Sequence, residues 1–398
     1  MTQDLQTFVE NLPKVELHAH INGSLSKNTL EKLNKLKNEL NGDTSEYTFT
    51  TSDGLNECFE KFKYAYALTD TSEAVALATE CVIRDFSEDH VVYVELRTTP
   101  RATENMSKDD YIVAVIKSIV KMKSELPNIL VKLIISISRR ECIESAAENV
   151  SSAIKYHQLY PDIICGIDLS GDPTCNSFED FKHHITRARD AGLKLALHCA
   201  EVENTNEIKS MLEYGMDRLG HGTFISGSNE EILLKKNEIT LECCLTSNLL
   251  CKTVATYSDH HFWRFFSCGH PVVICTDDFG VFETNLSKEL QIANRAMAGG
   301  IDTSDYKPRR LRGTPALRYL NFYSFLTLAV CSGIGYLIAN PRKLKRIEDN
   351  FFPVEERERE RKQKQDYLEV LEQPFEIQKS SAEIRKVLRH KQKYETEL

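Results

Sequence analysis

The sequence has 398 residues, 41% hydrophobic and 27% charged, and this length suits one large domain or two ordinary ones, not a disordered chain. Its formal net charge of −9 argues against nucleic acid as a partner of the whole chain, because neutralising phosphates takes a basic face. The twelve cysteines include no C-x-x-C pair, and residues 1–5 lack the start of a secretory signal. We therefore expect a globular protein that folds in the reducing cytoplasm.

From Leu12 to about Met297, short β-branched or apolar runs alternate with longer amphipathic stretches, as in repeated strand–helix units around a parallel sheet. The eight predicted strands are Val15–Ala19, Val91–Thr98, Val131–Ile137, Ile163–Leu169, Lys194–His198, Arg218–His221, Thr240–Leu245 and Val272–Thr276. Apolar residues at helical spacing predict outer helices at Ser72–Phe86 and Lys108–Leu126. Eight such units predict an α/β fold of the (β/α)8 TIM barrel type, whose catalytic residues follow the strands.

The segment Asn38–Ser52 is polar, contains Gly42-Asp43 and is followed by Gly54. This composition predicts a loop over one rim of the barrel. The loop is expected to be either a lid over the site or a plain solvated connection. Both alternatives stay open, because polar composition does not distinguish a moving loop from a static one.

The composition changes abruptly after Gly300. Two clusters of basic residues flank an uncharged run of 23 residues, Tyr319–Pro341, and a run of mixed charge, Glu355–Lys362, predicts a solvated helix further on. Because an apolar stretch of about 20 residues spans a bilayer, the uncharged run is predicted to be a transmembrane helix, with a buried or interfacial helix as the alternative. The predicted domains are a barrel at 8–300 and an atypical helical extension at 301–398, which would attach the chain to a membrane.

The stretch Lys14–Ser24 places two histidines one residue apart on a short predicted strand that ends in a turn. Residues i and i+2 of a strand point to the same face, so His18 and His20 are able to share one metal ion. A His-x-His pair alone is more often incidental than a metal site, so this assignment depends on the other strand ends.

Three other predicted strands end in polar side chains. His198 ends the fifth strand and is expected to join the metal, while Glu201, three residues later, faces the same cavity as a proton donor. Asp277 and Asp278 follow the eighth strand, and consecutive buried carboxylates favour a cation beside them. His221 ends the sixth strand and is expected to take a proton from the attacking water and orient it; a packed imidazole is the alternative.

Three histidines and one carboxylate form a ligand set that is typical of zinc, with iron or cobalt as alternatives. A divalent metal lowers the pKa of a bound water towards neutrality and turns it into a nucleophile. The predicted cofactor is one Zn²⁺ ion per chain, and the predicted chemistry is hydrolysis.

Several motifs resemble, in this order, those of the adenosine/AMP deaminase family, most closely its adenosine deaminase-like branch, the N6-methyl-AMP deaminases. The motifs are Lys14–Ser24, Leu169–Asp172, Leu197–Glu201, Gly220–Thr223, Leu245–Asn248 and Thr276–Asp278. The resemblance covers about residues 8–298 and implies a metal-dependent hydrolase barrel that deaminates a purine at C6 with zinc. After Leu286–Ala298 the family pattern stops, and the remainder looks like a small single-pass membrane protein joined to a truncated enzyme.

The resemblance also implies a role for each site residue. The implied metal ligands are His18, His20, His198 and Asp277. Glu201 would protonate purine N1, and His221 and Asp278 would handle the attacking water and the substrate. The implied substrate contacts include His20, His198 and Asp278, together with the amide of Gly171.

Three sequence features favour a nucleotide over a nucleoside. Adenosine deaminases proper have an aspartate where this chain has Asn22, and a neutral side chain there removes a charge that would repel a 5′-phosphate. The second predicted strand ends in the predicted substrate-binding residues Thr98, Thr99, Pro100 and Arg101, of which the threonine hydroxyls and the arginine guanidinium suit phosphate oxygens. A second basic pair, Arg139-Arg140, ends the third strand.

The predicted reaction is the conversion of N6-methyl-AMP, and related N6-substituted AMP, to IMP and an alkylamine by a monomeric enzyme domain. The partner is then a small-molecule purine nucleotide. The alternatives are an adenosine deaminase that produces inosine and ammonia, and an inactive, membrane-anchored interaction protein whose C-terminal segment supplies the function.

Overall fold

The computed structural model describes residues 3–41 and 55–300, which form an α/β barrel of eight parallel strands in the order of the chain. The strands are β1 Lys14–His20, β2 Val91–Thr98, β3 Leu130–Ser138, β4 Ile164–Ser170, β5 Lys194–Cys199, β6 Arg218–His221, β7 Thr240–Cys243 and β8 Val272–Ile274. All eight predicted strands are confirmed. β7 and β8 end two residues earlier than predicted, because Leu245 already begins a short helix and Thr276 lies in the turn after β8.

Helices connect the strands and form the outer layer. They are α1 Gln3–Asn11, α2 Lys27–Asn41, α3 Leu55–Leu68, α4 Ser72–Glu88, α5 Lys108–Glu125, α6 Ile143–Leu159, α7 Phe178–Asp190, α8 Thr205–Tyr214, α9 Ser228–Leu234, α10 Leu245–Leu250, α11 His261–Ser267 and α12 Leu286–Gly300. The predicted helices at Ser72–Phe86 and Lys108–Leu126 correspond to α4 and α5. α5 begins at a capping box, in which the Ser107 side chain accepts from the Asp110 amide and Asp110 accepts from the Ser107 amide.

The strands are covered on both sides, as a parallel barrel requires. In β3, Leu133, Ile134, Ile135 and Ile137 are each at most 1% exposed, so side chains on both faces of the strand are buried. Such a strand is a nearly continuous apolar run without a polar face, which is why the β-branched runs were readable from the sequence. The covering helices thus leave the strand ends as the natural place for polar side chains.

Asp277, three residues after the end of β8, closes the barrel against β1. Its amide donates to the carbonyl of His18 at 2.8 Å, and its carbonyl accepts from the amide of His20 at 3.0 Å. Ala19 and Asp277 form a parallel bridge at the same level. The backbone that completes the barrel therefore brings the Asp277 side chain beside the two histidines of β1.

Two predictions concern regions beyond the strands. The predicted loop at 38–52 is wrong at its start: residues 38–41 belong to α2, where Leu33 and Leu36 extend the helical spacing and pack on the core. The remaining loop residues, and with them the lid, lie outside the described residues. Within residues 3–41 and 55–300, no helix is long and apolar enough to cross a membrane. The predicted segment 319–341 and its domain, 301–398, also lie outside the described residues.

Candidate active site

The side chains predicted to carry the chemistry meet at the carboxyl ends of the strands. His18 and His20 lie on β1, His198 on β5 and His221 on β6. The backbone is left-handed at His221, with φ of 63°, and at Asp277, with φ of 64°. Non-glycine residues adopt this conformation at a cost of about 1–3 kcal/mol, and such strain concentrates at functional sites.

Four side-chain atoms converge on one point. His198 Nε2 lies 3.1 Å from His18 Nε2 and 3.2 Å from His20 Nε2. Asp277 Oδ1 lies 3.3 Å from His18 Nε2 and 3.5 Å from His20 Nε2. Atoms held tetrahedrally about 2.1 Å from a zinc ion are about 3.4 Å apart, so these four residues fit a divalent metal.

Buried carboxylates orient two of these histidines from behind. His18 Nδ1 donates to Glu242 Oε2, and His198 Nδ1 donates to Asp168 Oδ1, each at 2.8 Å. A carboxylate only accepts, so each ring carries its hydrogen on Nδ1 and presents the lone pair of Nε2 to the cluster. Asp277 is held in the same way, because Ser247 Oγ donates to its Oδ2 at 2.7 Å.

The described residues offer two overlapping groups of metal-binding side chains. The first contains His18, His198, His221 and Asp277, and the second contains His20, Asp168 and His198. The first group differs from the predicted set by having His221 in place of His20. His221 Nε2 approaches the other oxygen of Asp277, Oδ2, at 3.9 Å, whereas His20 Nε2 lies at 3.5 Å from Oδ1. By these distances His20 Nε2 lies nearer to Asp277 than His221 Nε2 does.

Arg97 supports this cluster from inside the barrel. Its side chain is fully buried, with a guanidinium that donates to Glu242 Oε2 and to the carbonyl of Leu17 at 3.0 Å and lies 3.5 Å from Asp168 Oδ1. Although burial opposes ionisation, Arg97 keeps the pKa of Glu242 well below its usual range, and His198 and Arg97 together do the same for Asp168. Arg97 therefore places a buried positive charge beside the carboxylates that orient His18 and His198.

Arg97→Met is expected to lower the free energy of unfolding by about 3–5 kcal/mol, because it removes a fully buried cation that Asp168 and Glu242 share, although Glu242 keeps its pair with Arg218. Denaturant unfolding measures this loss. Arg84→Met is the matched control, since the Arg84–Glu125 pair has side chains that are 44% and 39% exposed. Exposed pairs contribute about 0–1 kcal/mol. Equal losses in the two variants would contradict the role of Arg97.

Glu201 stands on the open side of the cluster, where its Oε2 lies 3.7 Å from His221 Nε2. Burial raises the pKa of Glu201, although His198 opposes the shift. Burial and the charge of Asp277 also raise the pKa of Asp278. Gly23 leaves room for Asp278, since a Cβ atom at Gly23 would lie 1.6 Å from Asp278 Oδ1. Both carboxyl groups thus tend to keep a proton that they are able to donate.

A cavity of about 450 Å³ opens above the cluster. Its lining includes most of the predicted site residues: His20, Asn22, Thr98, Thr99, Arg101, Gly171, His198, Glu201, His221, Asp277 and Asp278. Two predicted residues are placed elsewhere: Pro100 is buried but does not line the cavity, and His18 lies behind its wall. The volume suits a small-molecule ligand.

One side of the cavity is a hydrogen-bonded group around Asn22. Asn22 Nδ2 donates to Tyr111 Oη at 3.4 Å, and Thr69 Oγ1 donates to Asn22 Oδ1 at 3.4 Å. Thr98 Oγ1 and Tyr111 Oη lie 2.6 Å apart. Every partner of Asn22 in this group is uncharged, so the group orients the amide without placing a negative charge on this wall.

Arg101 lies next to the same group. Its Nη2 donates to the carbonyl and the hydroxyl of Thr69, at 2.6 Å each, and the guanidinium lies 4.7 Å from the centre of the Tyr66 ring. Its Nη1 is buried and has no hydrogen-bond partner within the described part of the chain. Arg101 is therefore fixed in position beside the cavity, and its Nη1 group is a donor without a partner among the described residues.

The other predicted basic pair does not reach the cavity. Arg139 is 3% exposed and pairs with Glu207 at 2.8 Å, and it also donates to the carbonyl of Asn176 at 3.1 Å. Arg140 pairs with Asp172 at 3.1 Å and has a side chain that is 61% exposed. This pair therefore brings no phosphate-binding group to the cavity, because Glu207 of α8 and Asp172 after β4 neutralise the two arginines.

Several cavity residues were not predicted. Phe62 and Tyr66 come from α3, and Ser247 and Asn248 from α10. The Leu245–Asn248 motif resembles the family pattern, but the sequence alone suggested no role for Ser247 or Asn248. Phe62 and Tyr66 follow a polar segment without any motif, so no sequence signal marked them.

Eight parallel strands with histidines and a carboxylate converging at their carboxyl ends define the class of metal-dependent barrel hydrolases. The sequence pattern described as "Adenosine deaminase" matches residues 13–309. The chain belongs to the adenosine deaminase family and is a hydrolytic deaminase. This membership implies a metal, and the buried histidine and aspartate cluster fits one.

Similar proteins agree with this membership. The adenosine deaminase-like protein of Drosophila melanogaster is 46% identical over 297 residues, which are 73% of this chain and 87% of that protein. The N6-methyl-AMP deaminase of Homo sapiens is 40% identical over 296 residues, 72% of this chain and 83% of that protein. The solved structure of an ADAL–IMP complex superposes with a TM-score of 0.68 at 37% identity, covering 74% of this chain and 88% of that one.

Proposed function

We propose that the chain is a zinc-dependent deaminase that hydrolyses N6-methyl-AMP, and related N6-substituted AMP, to IMP and methylamine or the corresponding alkylamine. The observation that carries this proposal is the convergence of three Nε2 atoms and Asp277 Oδ1, at 3.1–3.5 Å, beside Glu201 in one cavity. Because one such cluster lies among the described strand ends, we assign one zinc ion per chain, held by His18, His20, His198 and Asp277.

The reaction balances as follows: the oxygen of water adds at C6 of the purine and the C6–N6 bond breaks. One proton of the water leaves on the amine, and the other replaces the proton that Glu201 gives to purine N1. Zinc, when bound, supplies the Lewis acidity that makes water a nucleophile at neutral pH. Glu201 protonates purine N1, which withdraws electrons from C6 and prepares it for attack. The raised pKa of Glu201 suits this donor role.

The other cavity residues hold the substrate. Asp278, with Oδ1 buried and without a partner among the described residues, hydrogen-bonds the purine. The Gly171 amide meets the base from the end of β4, where φ is +91° and a Cβ atom would lie 2.8 Å from Ser138 Oγ. His20 and His198 border the same space. We assign His221 to the attacking water, next to the metal ligands.

The nucleotide preference rests on the wall around Asn22. Arg101 has a spare buried Nη1 donor there, and Thr98 and Thr99 bring hydroxyl groups to the same side of the cavity. An arginine with fixed geometry is well suited to phosphate oxygens. The ADAL–IMP complex, at 37% identity, holds a nucleotide, which supports this assignment.

Asn22→Asp tests the preference with almost no change in shape. The new carboxylate would repel a 5′-phosphate by about 1–4 kcal/mol per charge pair at about 4 Å. We expect kcat/KM for N6-methyl-AMP to fall at least about tenfold, whereas kcat/KM for adenosine, which has no phosphate, changes little. Steady-state kinetics on both substrates measure this. Equal losses on the two substrates would contradict the placement of the phosphate near Asn22.

Amine release from adenosine, AMP and N6-methyl-AMP tests the proposed function against its alternative, an adenosine deaminase. The full chain, loaded with zinc, is expected to release methylamine from N6-methyl-AMP faster than ammonia from either other substrate. A preference for adenosine would overturn the substrate assignment, and no release from any substrate would favour the inactive interaction protein.

Three further properties stay predictions: a cytoplasmic enzyme domain, its monomeric state, and membrane attachment through 319–341. Fractionation of cells that express the full chain tests the first and third together. Activity in the membrane pellet would support attachment, and activity confined to the supernatant would exclude it. Light scattering of the purified chain tests the monomer.

A further inference from the structure

A pair of histidines outside the metal cluster holds His221 from two directions. His260 and His261 follow the 3-10 turn Tyr257–Asp259 and stack on each other, with ring centres 4.2 Å apart and planes 24° apart. His260 reaches the side chain of His221 through Asn248, and His261 reaches its backbone. Neither histidine lines the cavity above the metal cluster.

The contacts of His260 determine where its hydrogen lies. The amide of Phe262 donates to His260 Nδ1 at 3.0 Å, so Nδ1 must be the acceptor. Burial lowers the pKa of His260 to about 2, and the neutral ring then carries its one hydrogen on Nε2. His260 Nε2 lies 3.0 Å from Asn248 Oδ1 and donates to it.

The hydrogen bond from His260 fixes the orientation of the Asn248 side-chain amide, and this orientation determines what Asn248 offers to His221. Because Oδ1 accepts from His260, the Nδ2 group faces His221 and donates to His221 Nδ1 at 3.3 Å. The reverse orientation would put an N–H group of Asn248 against the N–H of His260. Because His221 Nδ1 accepts this hydrogen bond, the ring carries its hydrogen on Nε2.

His261 fixes the backbone of the same residue. Its Nε2 donates to the carbonyl of His221 at 2.7 Å, at a position where φ of His221 is 63°. A hydrogen bond to that carbonyl stabilises a backbone conformation that L residues seldom adopt. His221 is thus held at its side chain and at its main chain by adjacent residues of one segment.

We propose that His260, acting through Asn248, is a positioning residue that keeps His221 in the tautomer with its hydrogen on Nε2. This inference rests on the proposed function. The Nε2–H of His221 then donates a hydrogen bond to the oxygen of the attacking water and orients its lone pair towards C6. A ring in this form has no lone pair on Nε2, so His221 is neither a metal ligand nor the base that removes a proton from water.

Nitrogen NMR reads the tautomer directly. The full chain is labelled with ¹⁵N-histidine and loaded with zinc, and long-range ¹H–¹⁵N correlations distinguish hydrogen on Nε2 from hydrogen on Nδ1. The signals that disappear in His221→Gln identify residue 221. We expect the Nε2–H form in the unaltered protein and the Nδ1–H form in Asn248→Asp, because a carboxylate at 248 accepts from both rings.

Kinetics separate positioning from general stability. His260→Leu removes the donor to Asn248 and is expected to lower kcat by about 10–100-fold with KM and zinc content unchanged, as loss of an outer partner does. His260→Gln keeps an N–H group near the position of Nε2 and should retain most of kcat. His183→Gln, on the exposed face of α7, is the control and should leave kcat unaltered.

An Nδ1–H tautomer of His221 in the unaltered protein would overturn the proposal, and so would full kcat in zinc-loaded His260→Leu. The NMR result needs only the unaltered chain and His221→Gln for the assignment, so it stands even where His260→Leu or Asn248→Asp fails to fold. Failure of the proposed function looks different: the unaltered protein would then release no methylamine from N6-methyl-AMP, whatever tautomer His221 has.

Discussion

Glu201→Gln is expected to reduce kcat for N6-methyl-AMP by about 10²–10⁴-fold, the range that a general acid contributes, while zinc stays bound at one ion per chain. Glutamine keeps the size of the side chain but has no acidic proton for purine N1. Glu201 is not among the four atoms that converge at 3.1–3.5 Å, so its replacement removes no metal ligand.

The pH profile adds an independent check on the same residue. Burial raises the pKa of Glu201, and the protonated carboxyl is the active form. We therefore expect kcat/KM to fall as pH rises through this raised pKa, and the residual activity of Glu201→Gln should lack this step. Glu203→Gln, at an exposed position two residues on, is the matched control and should behave as the unaltered protein does. Loss of zinc from Glu201→Gln would show that its role is misassigned.

His198→Ala is expected to weaken zinc binding by more than about 100-fold and to abolish turnover. His198 Nε2 lies between His18 and His20, at 3.1 and 3.2 Å, so its loss opens the centre of the ligand set. Replacing even an outer partner of a metal ligand costs about 10–100-fold in metal affinity, and a direct ligand costs more. Metal analysis after dialysis, together with a zinc titration, measures the change.

His183→Ala serves as the control for this variant, because His183 is exposed on α7 and should bind no metal. Asp168 keeps its hydrogen bond from Ser136 Oγ at 3.0 Å and its proximity to Arg97 when His198 is removed. The barrel should therefore stay folded in His198→Ala. Full zinc content in a folded His198→Ala protein would contradict the proposed ligand set.

The site residues at the strand ends were predictable because the strand pattern and the chemically reactive side chains coincide there. In β1 the alternation that makes a strand also puts His18 and His20 on one side, and in β5 an apolar run stops at a histidine. In a (β/α)8 barrel the carboxyl ends of all strands lie at one rim, so residues at these ends meet there. The strand topology was therefore enough to predict that these side chains lie close together, without any measured distance.

The partners behind the ligands were not predictable in this way. Glu242 lies 224 positions after His18, and Arg97 reaches Glu242 across 145 positions, so these pairs exist only once the barrel closes. A charged residue within a strand looks in the sequence like a solvated position. Arg139 illustrates the opposite error, since its acidic partner, Glu207, is supplied by a helix 68 positions away.

The proposed tautomer of His221 rests on contacts that the sequence does not reveal. From the sequence, His221 was expected to take a proton from water, because a histidine at a strand end resembles a general base. The direction of its hydrogen bonds depends on the amide of Phe262, at the start of α11, which donates to His260. Only the three-dimensional chain of contacts decides between donor and acceptor.

The most direct test of the central claim is the reaction of zinc-loaded protein with N6-methyl-AMP in ¹⁸O-enriched water. The proposed hydrolysis predicts IMP with one ¹⁸O atom at C6 and one methylamine released per IMP, both lost on chelation and restored by zinc. Mass spectrometry of the product measures this. Unlabelled IMP, or no methylamine from the zinc-loaded protein, would contradict the account.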